Sequence, residues 1–219
     1  MARARTTRPA DCPYVGKGGL KLRFALQHFA LDVTGVVAAD LGCHVGGFTD
    51  CLLQAGATRI YAVDTGYGTL AWRLRQDPRV VVQERSNALH WDAPEPLDLV
   101  VVDLGWTPQA RALPTVARLL RPGGVALSLV KPQYEGAPAA RGNREQGAGS
   151  RERGARGHVV APEDLVPLLA ALRAAVPAGL ELLGEALCPV PGSGGNREAW
   201  WHLRRVADAG PGRADGEAC

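Results

Sequence analysis

The sequence predicts an α/β fold, a seven-stranded, mostly parallel sheet with helices on both faces. Three observations predict it. Between residues 36 and 206, apolar runs of strand length alternate with segments of helical period. The runs are continuous rather than alternating, as strands covered on both faces must be. Glycines, acids and a lysine (Gly42, Asp64, Glu84, Asp103, Lys131) collect just after the runs, where an open α/β sheet carries its ligand crevice.

The elements follow in order. VVAADLG (36–42) reads as a strand, followed by a Gly-rich turn and the helical FTDCLLQAG (48–56). RIYAVD (59–64) is a second strand, TLAWRLRQD (69–77) a helix, RVVVQE (79–84) a third strand and LDLVVVDLG (97–105) a fourth. PQARALPTVARLLRPGG (108–124) reads as a helix stopped by Pro122-Gly123-Gly124. VALSLVKPQ (125–133) is the fifth strand, PEDLVPLLAALRAAV (162–176) a helix opened by Pro and two acids, and LELLGEALCPV (180–190) and EAWWHLRRV (198–206) the last two strands. Three segments stand apart: a basic arm (1–13), a Gly- and Arg-rich stretch (135–158) read as a flexible basic loop, and a polar tail (207–219) read as disordered. One domain, 14–206, is expected between arm and tail.

Composition narrows the function classes. With 219 residues, 46% of them hydrophobic, and a net charge of +3, the chain can bury a core without a metal or disulfide staple. No apolar stretch reaches the ~20 residues of a membrane span, and no apolar run follows the basic N-terminus, so a cytoplasmic protein with no membrane partner is expected. Five scattered cysteines with no CxxC pair, and histidines without ligand spacing, predict reduced thiols and no metal site. Of the 25 basic residues only Lys17, Lys21 and Lys131 are lysines. In a chain that otherwise uses arginine they stand out, because an ammonium is a compact donor of tunable pKa and a guanidinium is not.

The sharpest local pattern is Asp40-Leu41-Gly42-Cys43-His44-Val45-Gly46-Gly47-Phe48-Thr49. A strand ends, glycines let the backbone turn and approach a ligand, and a helix begins. The spacing is D-x-G-x-x-x-G-G, and no Walker lysine follows. Asp64 ends the next strand about twenty residues on, where a carboxylate accepts ribose hydroxyls. A ligand with a ribose, an adenine and an amino-acid tail but no phosphate fits this combination: S-adenosyl-L-methionine.

The stretches YVGKGGLKL (14–22), ADLGCHVGGFTDCLLQAGA (39–57), YAVDTGYGTLAWRLRQDPRVVVQERSN (61–87), DLVVVDL (98–104), LVKPQYE (129–135) and GGNREAWWHLRR (194–205) resemble the FtsJ-type RNA 2'-O-methyltransferases, and most closely their hemolysin-TlyA branch. They run in the family's order over nearly the whole expected domain. The resemblance implies a Rossmann-like class I methyltransferase fold, with S-adenosylmethionine held by Asp40, Gly42, Gly46, Gly47, Phe48, Asp64, Asn87 and Asp103. It also implies a catalytic tetrad of Lys21, Asp103, Lys131 and Glu198. A ribose hydroxyl is a weak acid, so the chemistry reduces to aligning the reacting atoms and stabilising a developing alkoxide. Lys131 is the expected group at the hydroxyl, with Asp103 beside both reactants and Lys21 and Glu198 orienting and balancing charge.

The branch usually carries an S4-like RNA-binding domain before this region, whereas thirteen residues precede the match here. RNA contacts are therefore expected from Lys17, Arg23, Arg141, Arg144 and Arg151, with a homo-oligomer or an accessory RNA-binding partner as further sources. Two more departures are Leu-Gly-Trp-Thr-Pro after Asp103, where the family has Val-Ser-Phe-Ile-Ser, and Cys43-His44 in place of smaller residues. The leading expectation is methylation of structured RNA, ribosomal RNA first. A small-molecule O-methyltransferase and a noncatalytic RNA- or partner-binding scaffold remain open alternatives; cofactor binding separates the enzymes from the scaffold, and the acceptor separates the two enzymes.

Overall fold

The computed structural model describes residues 12–135, 160, 162–192 and 195–206. Almost all of the basic arm, the stretch 136–158 with Arg141, Arg144 and Arg151, and the tail 207–219 lie outside the described residues.

Seven strands form one sheet: β1 (Val37–Leu41), β2 (Arg59–Val63), β3 (Val80–Gln83), β4 (Leu97–Val102), β5 (Leu120–Val130), β6 (Leu180–Leu187) and β7 (Ala199–Arg205). Their order is β3-β2-β1-β4-β5-β7-β6. The first five are mutually parallel, and β7 runs antiparallel to both of its neighbours. The strand order reverses between β1 and β4, which opens a crevice at their C-terminal ends.

The apolar runs are continuous because the sheet is covered twice. On one face Leu22, Ala25 and Leu26 of α1 (Gly18–His28), Phe48, Cys51 and Leu52 of α2 (Gly47–Gln54) and Leu74 of α3 (Trp72–Arg75) pack on Ala38, Ile60, Leu99 and Leu127. On the other, Leu113 and Val116 of α4 (Gln109–Leu119) and Leu165 and Leu169 of α6 (Pro162–Leu172) pack on Ala39, Val63, Val100 and Ala126. Successive residues of a strand face opposite ways, so Trp200 enters the first core and Trp201 the second, both fully buried. The described cysteines Cys12, Cys43, Cys51 and Cys188 are free and buried.

Three elements differ from the sequence reading. In the sequence, 14–22 stands out as a motif and not as a helix, yet Gly18–His28 forms α1, because Leu22, Ala25 and Leu26 make a narrow apolar stripe that packs on α2. The helix expected over 69–77 contracts to Trp72–Arg75. The helix expected to run to Gly124 stops at Leu119, and Leu120, Pro122, Gly123 and Gly124 belong to β5. Leu120 pairs with Leu97 in the sheet and both are buried. Gly124 then passes close to the Leu97 and Asp98 carbonyls, where the register shifts. Burial against the neighbouring strand overrides the local helix pattern.

Candidate active site

The C-terminal ends of β1, β2 and β4 meet at the switch point. Gly42 N–H donates to the Val63 carbonyl at 2.8 Å and Asp103 N–H to the Leu41 carbonyl at 3.0 Å, so the three strand ends are locked side by side. Above them lies a cleft of about 800 Å³, lined among others by Gly42, His44, Asp64, Asn87, Asp103 and Trp106. A recess of about 190 Å³ shares Gly42, His44 and Asp103 with it and adds Lys17, Asp40, Gly47 and Phe48.

The turn that joins cleft and recess tolerates no side chain at two glycines. Gly42 has φ +91° and a Cβ there would sit 2.6 Å from the Asp103 carbonyl oxygen. Gly46 has φ +95°, and its Cβ would overlap Leu74 and come within 2.7 Å of Leu70. Gly46→Ala is therefore expected to cost about 2–4 kcal/mol from left-handed strain plus overpacking. Urea unfolding at constant m-value measures it; a cost below about 1 kcal/mol would show that the turn relaxes freely.

Three carboxylates surround this turn. Asp40 is completely buried; its Oδ2 accepts from Thr49 N–H at 2.9 Å and Thr49 Oγ1 at 2.7 Å, while its Oδ1 has no partner. Burial pushes its carboxyl up to about 7, the Thr49 bonds oppose this, and the neighbouring Asp103 and Asp64 charges add to it. Asp64 is half-buried; its Oδ2 accepts from His44 N–H at 2.8 Å and its Oδ1 from Gly66 N–H at 2.7 Å. Those bonds fix the carboxylate and hold His44 at φ +47°. Asn87 Oδ1 accepts from Leu89 N–H at 3.0 Å, which keeps its loop against the cleft.

The four expected catalytic residues form two ion pairs. Lys21 Nζ lies 2.6 Å from Glu198 Oε2, with side chains 12% and 3% exposed. Lys131 pairs with Asp103 and also donates to the Leu104 carbonyl at 3.3 Å. Helix α1 supplies Lys21, the ends of β4 and β5 supply Asp103 and Lys131, and Glu198 stands just before β7. Burial pushes the Glu198 carboxyl up and the Lys21 ammonium opposes it; Asp103 and Lys131 are close enough to act on it too. The antiparallel β7 thus returns the fourth residue to the ends of the parallel strands.

The expected RNA-contacting residues divide. Lys17 lines the recess. Arg23 does not reach it; its guanidinium lies 6.0 Å from the Tyr14 ring, beside a groove between α1 and α2. Two residues were not singled out from the sequence as site residues. Trp106 is 71% exposed, holds φ +57°, lines the cleft and packs against Tyr134, the rings tilted by 34° with centres 4.7 Å apart. Glu135, expected to open the flexible loop, instead closes the short helix α5 (Pro132–Glu135). Both its carboxylate oxygens accept from Gln109 N–H, at 3.0 and 3.1 Å. Among the described residues no group of three or more His, Cys, Asp or Glu side chains is arranged to hold a metal. No helix among them is long and apolar enough to cross a membrane.

Comparison with known proteins identifies the family. The family model of the FtsJ-like methyltransferases matches residues 14–148, which include the cofactor turn, Lys21, Asp103 and Lys131. The 16S/23S rRNA (cytidine-2'-O)-methyltransferase TlyA of Mycobacterium tuberculosis is 38% identical over 200 residues, 89% of this chain and 70% of its own. YqxC of Bacillus subtilis is 38% identical over 198 residues, 87% of this chain. The chain spans about two thirds of the length of these relatives, 65% in the case of YqxC. A solved structure from Streptococcus thermophilus superposes with a TM-score of 0.78 at 32% identity, covering 91% of this chain and 70% of that one. The sheet order with its one reversed strand is that of a Rossmann-like class I methyltransferase. With the model spanning the glycine turn and three of the four paired catalytic candidates, this chain belongs to the FtsJ-like methyltransferase family.

Proposed function

We propose that the protein transfers a methyl group from S-adenosyl-L-methionine to a ribose 2'-hydroxyl of ribosomal RNA. The observation that carries this reading is the double ion pair, Lys21–Glu198 and Lys131–Asp103, beside a cleft shaped by glycines and acids. The relatives named as rRNA 2'-O-methyltransferases support the acceptor.

The residues present fit the cofactor. Asp64 would accept the ribose hydroxyls, Asn87 would face the adenine, and the recess with its unpartnered Asp40 oxygen would take the amino-acid tail. When bound, the cofactor supplies an electrophilic methyl on a sulfonium. The chain's residues do the rest. Lys131, held by Asp103 and the Leu104 carbonyl, would keep a donor for the 2'-oxygen and stabilise its negative charge as the oxygen–carbon bond forms, the carbon–sulfur bond breaks and the hydroxyl proton passes to solvent water. Glu198 and Lys21 would balance that charge as a neighbouring ion pair. Trp106 offers an exposed aromatic face of the kind on which an unstacked base lies.

The test is transfer of labelled methyl to ribosomal subunits, total RNA and a small-metabolite pool. Label in RNA that survives base removal and is lost with a 2'-deoxy target supports the reading. Label only in metabolites would replace it with a small-molecule enzyme, and no cofactor binding at all would leave a scaffold.

A proton-linked result follows from Asp40. Because its folded pKa is raised, the native state holds a proton that the unfolded chain has lost between about pH 4 and 7. Its contribution to stability is full at low pH and is lost as pH rises through about 7. A cofactor ammonium beside it favours the charged carboxylate, so binding expels that proton. S-adenosylhomocysteine should bind more tightly as pH rises from 6 to 8, and calorimetry in buffers of different ionisation enthalpy should detect the released proton. Asp40→Asn should flatten both. Equal proton release by Asp40→Asn would assign the proton to another group.

A further inference from the structure

We propose that Glu135 is a positioning residue for the substrate side of the cleft, acting through the segment 104–109 that carries Trp106. This rests on the function proposed above and adds to it the device that holds the loop in place.

The segment after β4 is tied to the end of β5 and to α5 at Asp103, Leu104, Trp106 and Gln109. Asp103 pairs with Lys131, and the Leu104 carbonyl accepts from Lys131 at 3.3 Å. The Trp106 ring packs at a tilt against the Tyr134 ring. The Gln109 side chain accepts from Ser128 Oγ at 2.7 Å, while its backbone N–H is straddled by the Glu135 carboxylate. Trp106 itself is mostly exposed and sits in the left-handed region, which a bulky residue adopts only when its surroundings impose it. Two contacts of α5 supply that restraint from outside the catalytic pair: the Tyr134 ring and the Glu135 carboxylate. Glu135 also satisfies a first-turn N–H of α4, a donor with no partner inside its helix. Removing that acceptor frees the start of α4 and, with it, the adjoining Gly105–Pro108 bend that presents Trp106. Lys131 lies at the other end of the same ladder, held by Asp103, so the cofactor side stays anchored.

The experiment compares Glu135→Ala, Glu135→Gln and Trp106→Ala, singly and as the double variant Glu135→Ala/Trp106→Ala. Loss of a cap acceptor should weaken RNA binding about five- to tenfold in Glu135→Ala. S-adenosylhomocysteine affinity should stay within about twofold of wild type, a change too small to report a lost contact. Glu135→Gln keeps one acceptor for Gln109 N–H and should recover most of the RNA affinity. In the double variant the two effects should not add, because Glu135 acts through Trp106. Acrylamide quenching of the Trp106 emission, taken as the difference from Trp106→Phe, needs no substrate and should rise in Glu135→Ala. Unchanged quenching, or additive losses in the double variant, would overturn the proposal. Loss of S-adenosylhomocysteine binding together with RNA binding would overturn it as well, by making Glu135 a residue of the fold alone. If the wild type binds no RNA, the proposed function fails, while the quenching result still decides whether Glu135 holds the loop.

Discussion

Lys131→Ala is expected to lower methyl transfer by roughly two to four powers of ten, the range that a positioned proton-handling group supplies. S-adenosylhomocysteine binding should persist, because the cofactor contacts proposed above fall to Asp40, Asp64 and Asn87. The side chain is 15% exposed and engaged by Asp103 and the Leu104 carbonyl, so its ammonium is aimed rather than free. Lys131→Arg should fail almost as badly. A guanidinium is wider and delocalised, so it would satisfy Asp103 without reproducing the compact donor at the 2'-oxygen. Single-turnover transfer with saturating cofactor measures both variants. Near-wild-type transfer by Lys131→Arg would mean that the position needs positive charge only.

S-adenosylhomocysteine is expected to raise the melting temperature of the wild type, and Asp64→Ala should abolish that rise. On the function proposed above, Asp64 accepts both ribose hydroxyls, and losing two charge-assisted hydrogen bonds should weaken binding by about a hundredfold or more. The structure adds a second cause. Asp64 also holds the His44 and Gly66 N–H groups, so its removal loosens the turn as well as the ribose contact. Asp64→Asn separates the two: one side-chain oxygen remains to accept, and binding should be intermediate. A full thermal shift with Asp64→Ala would place the ribose elsewhere.

Glu198 shows how far a linear pattern reaches. Lys21 and Glu198 are 177 positions apart and make a 2.6 Å pair in a nearly dry setting. Residue type and motif order nominate both, but nothing local in GGLKL says that it begins a helix aimed at the last strand. Two glycines at the start are poor helix formers, and the helix exists because Leu22, Ala25 and Leu26 find α2 to pack on. The stop signal at Pro122-Gly123-Gly124 misleads for the related reason that sheet pairing at Leu120 supplies more than the local pattern withholds.

By itself, the sequence determined the class of fold, the order of most elements, the glycine turn and the acid that follows it. Those are properties of short windows: a continuous apolar run requires cover on both faces, and a left-handed turn requires glycine. The tertiary structure alone decided the pairing of the tetrad, the buried unpartnered oxygen of Asp40, and the rungs that tie Trp106 and Gln109 to Tyr134 and Glu135. It also decided that Arg23 stands beside Tyr14 and away from the cleft. Each depends on which strand lies beside which, and on the reversal that brings β7 between β5 and β6. Burial then acts on groups that sequence distance keeps apart, raising the Asp40 and Glu198 carboxyls by desolvation that no local window encodes.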